Sequence, residues 1–380
     1  MIVENISSTL EIKEQLKKLG VDSGGVAILS KKARTHIISI KELNVGAANI
    51  LKQDALSIGA DLAVPRGTVL AKTPYVDTIL IATTAELKVL AKKELAQPFG
   101  LKELAFKLKE ISNLKKSKEV EIMGVINAND DSFFSESRLN EDDALKKIEE
   151  MIVQGASIID IGGVSSAPNS KTVSEKEELS RVSPILKLIK TNKLYEKVAF
   201  SIDSYSPLVI ENALKSGFSI VNDITGLQSD KVCKICAKYN AKVVIMHMQG
   251  RPETMQNNPQ YKNILDEVYQ FLKERIEKAQ KFGIENIILD IGIGFGKTLE
   301  DNLILIKYLE HFMTLGYPLL VGASRKSLIG AIDNSNVEDR LSGTLAIHLE
   351  AIRNGASILR VHDVFEHSQA IKVQNRLDKI

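Results

Sequence analysis

From about residue 119 onward the chain repeats one pattern. Short runs rich in Ile and Val are each followed by a segment with apolar residues at three- and four-residue spacing. The runs are "EIMGVINA", "SIIDIGGV", "KVAFSID", "SIVNDIT", "KVVIMHM", "NIILDIG", "PLLVGAS" and "SILRVHD". Amphipathic segments such as "NEDDALKKIEEMIVQGA" and "YKNILDEVYQFLKERIEKAQKFG" lie between them. Gly155, Gly217, Asn240, Gly283, Gly316 and Gly355 stand just before the next strand, where a left-handed residue stops a helix. Near-continuous apolar strands separated by helices predict a parallel sheet covered on its faces. Eight such units in about 260 residues predict a (β/α)8 TIM barrel rather than an open doubly wound sheet.

Residues 1–115 read differently, as a small α+β domain ahead of a barrel domain at 116–380. Candidate strands are "GVAILS", "RTHIISI" and "DTILIAT". Helical patterns occur in "EIKEQLKKLG", "GAANILKQDALSIG" and "TAELKVLAKKELA". The charged stretch "NLKKSKEVE" joins the two domains. "AVPRGTV" reads as a surface turn, and no motif assigns this domain a role.

Composition narrows the class. The 380 residues are 44% hydrophobic and 26% charged, as in ordinary globular proteins. A net charge of +2 gives no basic excess for nucleic acid. No apolar run approaches a membrane helix, and the first residues lack the pattern of a signal peptide, so a cytoplasmic protein is expected. The two cysteines, Cys233 and Cys236, form a C-x-x-C pair with no further ligands at zinc spacing. They read as small apolar residues on the core face of a helix.

In a parallel barrel the chemistry sits at the carboxyl ends of the strands. Polar residues collect there: Asn127, Asp160, Asp203, Asn222 and Asp223, His247, Asp290, then Ser324, Arg325 and Lys326, and finally Arg360, His362 and Asp363. A single Asp at a strand end is usually a cap or turn residue. Eight strand ends in register are not explained that way. Alternation puts Arg360 and His362 on one side of their strand, a pair suited to an anion. Asp203, Asn222, Asp290 and Lys326 offer mixed donors and acceptors, which suits a flat, nitrogen-rich heterocycle. Asn127 offers one oxygen to a magnesium ion held mainly by phosphate. The expectation is a barrel enzyme for a polar heteroaromatic substrate with a phosphate-like group.

These residues resemble the dihydropteroate synthase family over about residues 119–378. "MGVINANDDSFF" is similar to its first-loop signature M-G-I-x-N-x-T-P-D-S-F-S, and "DIGGVSSAP" to its second-loop D-I-G-G-E-S-T-R-P. "SIDSYSPLV", "IVNDITG", "MHMQGRPETMQ", "ILDIGIGFGKTLEDNL", "GASRKSLIG", "RLSGTLA" and "LRVHDV" follow in the family's order. The resemblance implies condensation of 6-hydroxymethyl-7,8-dihydropterin diphosphate with p-aminobenzoate to dihydropteroate and diphosphate, on the route to folate. It implies that Asp203, Asn222, Asp290 and Lys326 hold the pterin, with Met246 and Phe295 in the pocket wall. Asn127 would bind Mg2+. Arg360 and His362, with Val361 between them and Ser166 from the second loop, would hold the diphosphate. Ser324 and Lys326 would lie near p-aminobenzoate. Catalytic roles fall to Asn127, Lys326, Arg360 and His362, and a homodimer is implied.

The chain departs from the family pattern mostly in the first two loops. Asn129 and Asp130 stand where Thr-Pro is usual, Val164 for Glu, Ser166 for Thr, Ala167 for Arg, and Ile291 for Pro. Losing the loop Arg removes a cation from the p-aminobenzoate and sulfonamide side, for which Arg138 or Lys171 are candidates to compensate. Two other readings compete: a methyltetrahydrofolate–corrinoid methyltransferase sharing the pterin pocket, and a non-catalytic pterin binder. In "DIGIGFGK" the glycines let the chain turn over the strand end, and Lys297 either caps the turn or faces solvent.

Overall fold

The computed structural model describes residues 1, 12–117, 119–128, 139–164, 173–250 and 254–378. The chain divides into two compact units, Met1–Lys115 with Arg376–Ile380, and Lys116–Asn375. Among the described residues no helix is long and apolar enough to cross a membrane.

In the first unit β1 (Thr35–Asn44), β2 (Asp61–Ala63) and β3 (Tyr75–Thr83) form an antiparallel sheet in the order β1-β3-β2. Alternation along β3 buries Val76, Thr78, Leu80 and Ala82 and exposes the residues between them. Helices Val45–Leu56, Thr84–Lys93 and Leu101–Asn113 cover that face through Leu51, Leu87, Leu90, Leu101 and Leu108. Thr83 and Glu86 close a reciprocal cap on the second of these helices. "GVAILS" is not a strand: it lies in helix Ser23–Lys32. A short apolar run does not fix its own period, and the flanks decide. Asp22 accepts the Gly25 N–H at 2.8 Å as an N-cap, and Lys31 and Lys32 suit the C-terminal end of the helix dipole.

Glu94, fully buried beside Asp54, has its carboxyl raised from 4.5 to about 7, first by burial and then by the Asp54 charge. The folded state therefore holds a proton that the unfolded chain releases between those values. That contribution is complete below the ordinary value and is lost as pH climbs to about 7. Glu94→Gln should remove this loss, stabilising the protein at pH 8 by at most about 3 kcal/mol and much less at pH 4. Thermal melts at the two pH values check it. An equal gain at both would disprove the buried-proton account.

The second unit is a closed barrel of eight parallel strands: β4 (Glu121–Asn127), β5 (Ile158–Gly162), β6 (Ala199–Asp203), β7 (Ile220–Asp223), β8 (Lys242–Met246), β9 (Ile287–Asp290), β10 (Leu319–Val321) and β11 (Ile358–Val361). All eight apolar runs read from the sequence are strands. The six residues expected to stop helices all take positive φ. Met123, Ile158, Ile220, Val244, Ile288, Leu320 and Ile358 fill the lower interior. A larger apolar layer lies between strands and helices and includes both cysteines, fully buried on helix Asp230–Lys238. Burial pushes both thiols up, Cys236 to about 12, as expected of unreactive core residues.

Candidate active site

Strand register sets the site. Asn127 pairs with Gly162, Gly162 with Asp203, Asp203 with Asn222, and Met246 with Asp290. These residues form one level at the carboxyl ends, above the apolar filling. Arg360 starts lower, opposite Met123, and reaches upward. Its Nε donates to Asp160 Oδ2 and its Nη2 to Asp203 Oδ2, both at 2.7 Å. Asn222 Nδ2 donates to the same Asp160 oxygen at 3.1 Å. Asp160 is wholly buried, so this array fixes one guanidinium and three polar partners in the barrel. Burial raises the Asp203 carboxyl to about 7, with Arg360 opposing and Asp160 adding to the rise. Asp160 stood among the strand ends read from sequence but not in the expected site; only the folded barrel brings it to Arg360.

The glycine-rich turn after β9 forms the opposite wall. Asp290 Oδ1 accepts the Gly292 N–H at 2.7 Å. Gly292 and Gly296 take φ of +67° and +61°, and a Cβ at either would run into the carbonyl of His247 or Gln249. No other residue type fits there. Lys297 caps the turn rather than facing solvent. It is buried, and its Nζ meets His247 Nδ1 at 2.9 Å, Gly292 O at 2.9 Å and Phe295 O at 3.0 Å. Asn302 Oδ1 accepts the Gly294 N–H at 2.7 Å, while Gln256 and Tyr261 donate to the Gly294 and Gly296 carbonyls. The turn is thus tied down on every side. Phe295 packs with Ile224, Met246 and Met255 as an apolar wall. Lys326 lies across it, its Nζ 4.5 Å from the Phe295 ring centre and donating to the Ile293 carbonyl. Burial raises the Asp290 carboxyl against the pull of Lys326, and lowers the Lys326 amine to about 8.

The third side comes from the segments after β10 and β11. Ser324 Oγ accepts the His362 N–H at 3.2 Å and lies 2.9 Å from His362 Nδ1. The hydroxyl proton is then free to go to Nδ1, which leaves the ring's proton on Nε2 as an outward donor. Burial and the Arg360 charge both lower the imidazole's pKa. Arg325 and Asp363, read as site candidates, instead form a two-pronged ion pair at 2.9 and 2.8 Å, with Arg325 also donating to Val337 O and Glu338 O. Asp223 is spent on Thr225 and Leu227, and the His247 ring packs edge-on against Phe271. The Val361 side chain is fully buried in the helix-facing layer, because alternation turns it away from the Arg360 and His362 side chains. Ser166 lies outside the described residues, as do Asn129, Asp130, Arg138, Ala167 and Lys171.

Fold and site together define a (β/α)8-barrel enzyme with its polar groups gathered at the carboxyl ends of the strands. The pterin binding enzyme family matches residues 123–362. The bifunctional dihydropteroate synthase/dihydropteroate reductase of Helicobacter pylori is 42% identical over 379 residues, covering 100% of both chains. The dihydropteroate synthase of Haemophilus influenzae is 43% identical over 256 residues, covering 67% of this chain and 92% of its own. The crystal structure of the Yersinia pestis dihydropteroate synthase with a sulfonamide drug complex superimposes with a TM-score of 0.65 at 35% identity, covering 70% of this chain and 98% of that one. The chain belongs to the dihydropteroate synthases of the pterin binding enzyme family.

Proposed function

We infer that the chain condenses 6-hydroxymethyl-7,8-dihydropterin diphosphate with p-aminobenzoate, giving 7,8-dihydropteroate and diphosphate for folate biosynthesis. The observation that carries this reading is the joining of Arg360 to Asp160 and Asp203 beside Asn222, facing Asp290 across the barrel mouth. Asp203, Asn222 and Asp290 take the ring N–H edge of the pterin, and its flat face lies against the apolar wall of Phe295 and Met246, with Lys326 at the edge of that wall. Two N–H groups of Arg360 are committed to carboxylates. The rest of its five, with His362 Nε2–H, are available to diphosphate oxygens. Asp203, with a pKa near 7, takes up a proton as the diphosphate brings negative charge. The pterin C–O bond breaks with its electron pair leaving on diphosphate. The aniline nitrogen forms the new C–N bond and then loses its proton to solvent. Arg360 and His362 stabilise the charge that grows on the leaving oxygens.

Asn127 fits a magnesium ion as one hard oxygen donor. Among the described residues no group of three His, Cys, Asp or Glu could hold a metal, so diphosphate and water would complete its shell. Such an ion supplies positive charge to the departing diphosphate. The enzyme acts as a homodimer, the commonest symmetric oligomer.

The test is turnover with Mg2+, both substrates, and detection of both products. Dihydropteroate and diphosphate should appear in equal amounts, and a sulfonamide should compete with p-aminobenzoate. Asn127→Ala should raise the Mg2+ concentration needed for half-maximal rate about tenfold, the usual scale for losing one supporting metal contact. An unchanged requirement would remove Asn127 from the metal site. Pterin binding without product would return the protein to the non-catalytic binders.

End-to-end alignment with the Helicobacter pylori bifunctional relative, first unit included, favours a second activity: reduction of dihydropteroate. Supplying dihydropteroate with NADPH or reduced flavin, and comparing the full chain with and without reductant, tests it.

A further inference from the structure

The backbone ladder between β10 and β11 is short. It pairs Leu320 with Ile358 and Val321 with Leu359, and stops there. Ser324 and His362 lie beyond it, so side chains must set the distance between the segments that carry them. The Ser324–His362 and Arg325–Asp363 contacts do part of this. A further link, buried, lies beneath them.

His348 sits on helix Leu341–Arg353 and His367 on helix Val364–Leu377, each 1% exposed. His348 Nε2 accepts the Ala323 N–H at 3.0 Å. His348 Nδ1 lies 2.8 Å from His367 Nε2. His367 Nδ1 lies 2.6 Å from the Asp363 carbonyl oxygen. The chain of bonds runs from the residue before Ser324 to the residue after His362. Its ends fix its protons. A backbone N–H only donates, so His348 Nε2 is bare. A carbonyl only accepts, so His367 Nδ1 carries hydrogen. The middle bond then takes the one remaining proton, on His348 Nδ1. Every ring nitrogen is used with both rings neutral. A second proton on either ring would set two donors against each other.

We propose that His348 and His367 are positioning residues: a proton-ordered strut that sets the spacing of the Ser324 and His362 segments and hence the diphosphate side of the site. The proposal rests on the synthase reading. Asp203, Asn222 and Asp290, on β6, β7 and β9, do not hang on this strut; of the pterin groups Lys326 alone follows Ala323 in the strut's own segment, so its loss falls harder on diphosphate than on the dihydropterin. Burial keeps both rings below the ordinary histidine range. The charged groups acting on them are Lys326 for His348, and Asp363 and Glu366 for His367.

The experiment is calorimetry on the full chain with inorganic diphosphate and, separately, the dihydropterin. His367→Leu should weaken diphosphate binding tenfold to a hundredfold, about the cost of a 1 Å misplacement. Dihydropterin affinity should fall far less, since only Lys326 among its groups lies in the displaced segment. His367→Gln, which keeps one acceptor and one donor, should recover most of the loss. Equal weakening of both ligands, or a Gln variant as poor as Leu, would overturn the positioning role. Should the Leu variant fail to fold, nitrogen NMR of the wild-type histidines decides. Two of the six should be Nδ1–H tautomers that stay neutral down to pH 5.5, and ordinary titration of both would sink the strut. If wild type makes no dihydropteroate yet shows these effects, the synthase reading fails and the strut stands.

Discussion

An Arg360→Ala enzyme is expected to lose at least a thousandfold in kcat/KM, a scale seen when a preorganised charge is removed from a developing anion. It should also lose about 3–5 kcal/mol of stability, because removing one partner of a buried ion pair leaves the others uncompensated. Asp160 is wholly buried, and Asp203 takes Arg360 as the main influence holding its pKa down. The pH dependence gives the loss a signature. The Asp203 pKa is already raised from 3.8 to about 7 in the folded protein. A raised carboxyl contributes its stability below its unfolded value and loses it as pH rises through the folded one. Without Arg360 the folded value climbs further, so the variant should weaken more steeply than wild type between pH 5 and 8. Arg360→Lys should fall between the two, since a point charge cannot serve two carboxylates as the planar fork does. Urea midpoints at the two pH values and steady-state kinetics check these outcomes. A variant as stable at pH 8 as at pH 5 would refute the account.

Lys297→Met should weaken dihydropterin binding about a hundredfold and cost roughly 2–4 kcal/mol, although Lys297 is placed in contact with no substrate. Its Nζ, on an amine that burial lowers to about 7, joins His247, just after β8, to two carbonyls of the turn after β9. Methionine fills the volume but takes this donor from His247 Nδ1 and the Phe295 carbonyl, and leaves the Gly292 carbonyl only the Phe295 N–H. The Gly292 amide that holds Asp290 then loses its anchor, and Phe295 its place in the wall. Calorimetry with the dihydropterin and a chemical melt measure both effects. Unchanged affinity with reduced stability would restrict Lys297 to holding the fold.

The barrel was legible because its signals are local. Each strand is an apolar run, the helices show a three-and-four pattern, and six helical segments stop at a Gly or Asn of positive φ. The opposed faces of the Arg360 and Val361 side chains also follow from alternation. The first unit was less legible. "GVAILS" carries no period of its own, and the short β2 and helix Leu101–Asn113 were not anticipated.

What the sequence determined by itself is which residues stand at the ends of the barrel strands, since local periodicity and turn chemistry place them there. What only the tertiary structure decided is whom they meet. Asp160 and Arg360 lie 200 residues apart in the chain, and His247 and Lys297 lie 50 apart. Barrel closure spends Arg325 on Asp363, turns Lys297 inward as a clamp and joins His348 to His367. Hydrogen bonds between distant strands depend on register and closure, which no local pattern encodes.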